Sequence, residues 1–145
     1  MTGVLIHAVL LALFLVVPLR RLRLPCGAIV AIMLWDGLLT AAVTDLWLYL
    51  PAVAAAALVG EALWAWIWGG GLGGADAEPG YWLIAFAVPT VQFAAYFALM
   101  GTFGGGIVWT THLVAGVPLM AGFYGVITAV LAVPPPFPRA KARIE

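Results

Sequence analysis

The stretch GVLIHAVLLALFLVVPL, Gly3–Leu19, runs straight into RRLR at 20–23. It is apolar apart from His7, and a helix that crosses a bilayer needs about 20 such residues, with a range near 17–25. Its basic residues come after it rather than before it, the reverse of a secretory signal peptide. It therefore reads as a retained first transmembrane helix. Lysine and arginine mark the cytoplasmic ends of spans, so Arg20, Arg21 and Arg23 place its N-terminus outside.

Four more segments of the same kind succeed it: Gly27 to about Val43, or on to Leu50; Ala52–Trp68; Tyr81–Met100; and Ile107–Val133. Pro134-Pro135-Pro136 stops the last of them, because proline lacks an amide proton and blocks helical continuation. The second basic cluster, Arg139, Lys141 and Arg143, lies beyond that stop. Both clusters belong on one side of the membrane, so an even number of crossings must separate them. Spans two to five supply that even number. The expected fold is an all-α polytopic bundle of five transmembrane helices, with the N-terminus outside and the C-terminus cytoplasmic. Residues 1–133 form the membrane domain and 134–145 a short, proline-rich basic tail.

Composition agrees. The chain of 145 residues is 66% hydrophobic and 8% charged, with a mean hydropathy of +1.15. Soluble domains carry about 25% charged residues. In lipid only helices or closed barrels satisfy their backbone groups. Barrel strands alternate apolar and polar residues, whereas these runs are continuous. The net charge is zero, which predicts no nucleic-acid partner. The expected setting is the lipid of a bacterial or archaeal cytoplasmic membrane, with other membrane subunits or further copies of the chain as partners.

Aromatic residues favour the membrane interfaces. Trp64, Trp66, Trp68, Tyr81 and Trp82 flank the glycine-rich loop 69–80 and are expected as an inner belt, with Arg20, Arg21 and Arg23 as anchors on the same side. Trp47, Tyr49 and Trp109 fall at the outer face, where Thr44–Leu50 reads as a continuation of the second helix or as an interfacial turn. The single cysteine, Cys26, is expected to be a small buried hydrophobe.

Ionisable groups inside a membrane are costly and mark function by default. His7, Asp36, Glu61 and His112 are expected between the midplane and the outer surface, with Asp45 at that surface. Asp36, Thr40 and Thr44 form one stripe at i, i+4, i+8. Glu61 shares a face with Ala54, Ala57, Trp64 and Trp68, and Gln92 one with Ala85, Val88 and Ala95. These residues support three readings. As an interhelical polar cluster, Asp36, Thr40, Glu61, Gln92 and His112 fix packing in a non-catalytic accessory subunit or homo-oligomer. As a proton or ion path, Asp36, Glu61 and His112 serve a small transporter. As ligands, His7 and His112 hold a metal or haem, which no His-x3-His or Glu-x2-His spacing supports. The cofactor, if there is one, is not legible. The Gly69–Gly74 run lacks the lysine of a phosphate loop. The chain contains no serine, which excludes serine-nucleophile chemistry.

Overall fold

A computed structural model describes residues 2–22, 24–45, 47–73, 78–103 and 111–132. Among them there is no strand. The elements in chain order are α1 (Thr2–Leu11), a π-helical turn (Ala12–Val16), α2 (Val17–Leu22), α3 (Ala28–Thr44), α4 (Tyr49–Trp68), a short 3-10 turn (Gly71–Gly73), α5 (Glu78–Phe103) and α6 (Thr111–Ala132). Three helices are long and apolar enough to cross a membrane: α4, α5 and, from Val114, α6. Helix α3 is apolar but shorter, at 17 residues. The first helix is continuous from Thr2 to Leu22, with the π-helical turn in its middle. That turn ends two residues before Pro18, whose ring and missing N–H are incompatible with an undisturbed α-helical turn before it.

Local chemistry sets the boundaries. Gly27 precedes α3 with φ +92°, a left-handed conformation that glycine adopts without strain. At the other end α3 stops at Asp45, also left-handed at φ 57°, a conformation in which aspartate is enriched. The Asp45 carboxylate accepts the Trp47 indole N–H at 2.7 Å. The segment after Thr44 is thus a turn rather than a continuation of the helix. Pro51 and Pro79 fall in the first turns of α4 and α5, where no intrahelical amide is lost. Pro89 lies inside α5, and there the Thr90 hydroxyl donates to Phe86 O at 2.6 Å and reaches Ala121 O of α6 at 3.3 Å.

The helices pack in the order α3, α4, α5, α6, α1, each against the next. Small residues set the close approaches. A Cβ at Gly60 would meet Val88 and Ile29, and one at Gly125 would meet the Phe86 carbonyl oxygen at 2.6 Å. The core runs through Leu15, Leu19, Ile29, Val53, Trp64, Ile84 and Val88. Trp64 and Tyr81, expected at an interface, are buried in that core. The Trp64 indole N–H donates to Leu24 O at 3.0 Å, tying α4 to the segment before α3. Trp66 and Trp68 remain exposed, and Trp82 is half-buried. Cys26 is exposed rather than buried, because it sits in the short turn between α2 and α3, beside no packed helix face.

Candidate functional site

The largest polar constellation among the described side chains gathers on His7. Its Nδ1 is hydrogen-bonded to the Tyr124 hydroxyl of α6, and its Nε2 to the Tyr49 hydroxyl of α4 at 2.8 Å. Gln92 of α5, only 2% exposed, donates its amide N–H to the same Tyr49 oxygen. Tyr96 stacks edge-on against Tyr49 with ring centroids 5.8 Å apart. Four helices thus contribute to one chain: Gln92, Tyr49, His7, Tyr124. Gln92 stands about 21 Å along α5 from Glu78, well inside the apolar length of that helix.

The first member of this chain fixes the donors of the rest. Gln92 donates to Tyr49, so the Tyr49 O–H is directed to His7 Nε2, and His7 Nδ1–H to the Tyr124 oxygen. Turning the Gln92 amide over reverses every donor. Tyr49 then donates to Gln92 Oε1, His7 Nε2–H donates to Tyr49, and Tyr124 donates to Nδ1. In the first arrangement Gln92 Oε1 is buried without a hydrogen-bond partner; in the second it gains one. His7 and the two phenols are the proton-exchanging members of this chain; the Gln92 amide sets its polarity and does not itself exchange a proton.

His7 also borders a cavity of about 140 Å³ between α1 and α3. Leu10, Leu11, Phe14 and Leu15 line one side, and Ile32, Met33 and Asp36 the other. Phe14 and Leu15 belong to the π-helical turn. The buried face of α3 is Ile29, Met33, Gly37 and Ala41; Asp36 sits beside it at the margin that faces the cleft. Asp36 and His7 line the same cavity. Among the described residues Asp36 makes no hydrogen bond and no ion pair.

Of the residues singled out in the sequence, Asp36, Gln92 and His7 come together here. Thr40 lies one turn beyond Asp36, half-buried, and its carbonyl accepts the Thr44 hydroxyl at 2.6 Å. Glu61 is elsewhere. Its Oε1 accepts the amide N–H of Gly27, at the start of α3. Gly37 of α3 packs against Val53, so Asp36 and Glu61 are separated by about 12 Å along α4. Glu61 anchors the beginning of a helix instead of joining the His7 group. Arg20 forms an ion pair with Glu78. Arg21 is exposed. Arg23 and the basic tail lie outside the described residues, and so does the side chain of His112.

The sequence does not point to Tyr49, Tyr96 and Tyr124 in this role. Tyrosine is amphipathic enough to sit in a core or at an interface, and a lone tyrosine in an apolar run carries no spacing signal. A metal at His7 would have to displace a phenol, since both ring nitrogens are engaged. No group of three or more potential ligands occurs among the described residues. The sequence matches no family model, no curated protein and no solved structure.

Proposed function

We propose that this chain is a five-span integral membrane protein, N-terminus outside and C-terminus cytoplasmic, that carries protons through its outer half as a small transporter rather than acting as an enzyme. The observation behind this reading is the His7 chain, which joins an ionisable imidazole to two phenols and a buried amide and borders a cleft holding Asp36. Intramembrane acids and histidines of this kind mark ion and proton pathways, and imidazole exchanges protons near neutral pH. Glu61, engaged at the start of α3, is left out of the path.

The topology has its own support. The Arg20–Glu78 ion pair brings the end of the first span and the start of the fourth to one side, as the parity of the basic clusters requires. The bonds from Trp64 to Leu24 and from Gly27 to Glu61 put the end of the third span there too. The test is proton flux into liposomes reconstituted with the purified protein, monitored with an enclosed pH dye. Flux above that of empty liposomes is expected, with at least a tenfold loss in His7→Phe and Asp36→Asn. Flux indistinguishable from protein-free vesicles would overturn the proposal.

A second reading, an accessory subunit or homo-oligomer, is favoured by Gly116 and Gly122. A Cβ at either position of α6 would meet nothing within 4 Å. Glycines on an open helix face permit close approach of another helix. Native mass spectrometry from mild detergent tests this: a monomer of one chain alone removes it.

A further inference from the structure

We propose that the cleft between α1 and α3 binds a small lipophilic cation, an aryl or alkyl ammonium of about one-ring size, with its charge on the Asp36 carboxylate and its apolar body against Phe14, Ile32 and Met33. This rests on the reading of the cleft as the working site and adds the class of substrate.

Charge is the first argument. Asp36 is exposed at the margin of the cleft, within an apolar helix, and no described residue pairs with its carboxylate. Of the described cations, Arg20 is paired with Glu78 at the opposite end of the bundle, and Arg21 lies beside it in α2. His7 of α1 lines the same cleft as Asp36, and Tyr49 of α4 and Tyr124 of α6 stand behind it on its two ring nitrogens. His7 has both ring nitrogens committed to the two phenols. An unpaired carboxylate at the edge of an apolar cleft attracts a positive partner and repels anions. A neutral alcohol would satisfy one lone pair and leave the charge.

Size and shape are the second. A dry cavity of about 150 Å³ holds a benzene ring, and this one measures about 140 Å³. Apart from His7 and Asp36 its walls are apolar, and they include the aromatic Phe14, a residue type that attracts cations. Phe14 is largely exposed, so the cleft opens sideways between the helices, and a longer apolar tail has room to leave it there. A metal ion would find one carboxylate and an imidazole whose two nitrogens are already engaged.

The experiment is a calorimetric titration of the full-length protein in nanodiscs with two probes of nearly equal shape, benzylammonium and benzyl alcohol. Saturable binding of benzylammonium is expected, at least tenfold tighter than benzyl alcohol. Asp36→Asn should lower ammonium affinity at least tenfold and leave the alcohol within about twofold. Ile32→Trp keeps the carboxylate but fills the cleft, and should abolish binding of both. Equal affinity for the two probes, or ammonium binding unaffected by both substitutions, overturns the proposal. Proton flux without ammonium binding would overturn it while sparing the carrier reading. Ammonium binding without flux would sustain it and remove proton carriage.

Discussion

Glu61 shows how a side chain picked out by its cost in lipid acquires a different role from its neighbours. Sequence alone groups it in depth with Asp36, because both are acids within apolar runs. What separates them is the antiparallel pairing of α3 and α4, which brings Glu61 level with Gly27 and leaves Asp36 near Val53. An acidic group at a helix start meets unpaired amides and the positive end of the dipole, an effect of about 0.3–1 kcal/mol. Glu61→Gln keeps an acceptor and loses the charge. It is expected to lower stability by about that amount in denaturant unfolding in detergent, with proton flux unchanged. A loss of flux equal to that of Asp36→Asn would put Glu61 back in the path. The residues at the centre of the site are only half legible in the sequence. His7, Asp36 and Gln92 stand out because each is polar in an apolar run. Tyr49 and Tyr124 do not, because a phenol declares its role only through the partner its hydroxyl meets.

Among the elements, hydropathy locates the helices well and their ends within a few residues. Tyr81–Met100 becomes Glu78–Phe103, and Ala52–Trp68 becomes Tyr49–Trp68. The π-helical turn has no such signal, since its residues are as apolar as those of the α-helix around it; only Pro18 hints at it. Its effect is rotational. One residue added to a turn rotates the helix on its N-terminal side by about 100° against the helix on its C-terminal side. Deleting Leu13 is therefore expected to leave α2 and the Arg20–Glu78 pair in place while turning His7 away from its phenols. Circular dichroism should be unchanged and proton flux lost; retained flux would mean that the turn does not aim His7. On α6 two glycines contrast. Gly125 lies against Phe86 and Thr90, so Gly125→Ala should destabilise by about 1–3 kcal/mol through overpacking. Gly122→Ala touches nothing and should be neutral or gain up to about 1 kcal/mol of helix propensity. Thermal denaturation of the two variants in one detergent decides between these expectations.

For the whole molecule, orientation is the coarsest property and the one most economically tested. Cys26 is the only cysteine in the sequence, is exposed and lies between the first two spans. With the N-terminus outside it faces the cytoplasm. A membrane-impermeant maleimide should label it only after cells are permeabilised, and labelling of intact cells would invert the topology. The helical membrane class is legible from composition and run length alone, because lipid permits so few solutions. Which helices touch is not, because apolar faces in an apolar solvent carry little directional information. The packing order has a consequence for biosynthesis. The first helix rests chiefly on the last, and His7 needs Tyr124 as well as Tyr49. As the chain leaves the ribosome, the N-terminal helix must wait for a neighbour that is translated more than a hundred residues later. Until that helix forms, the imidazole lacks one of its two phenols, so a nascent chain stalled after Phe103 would hold α1 to α5 and an incomplete site.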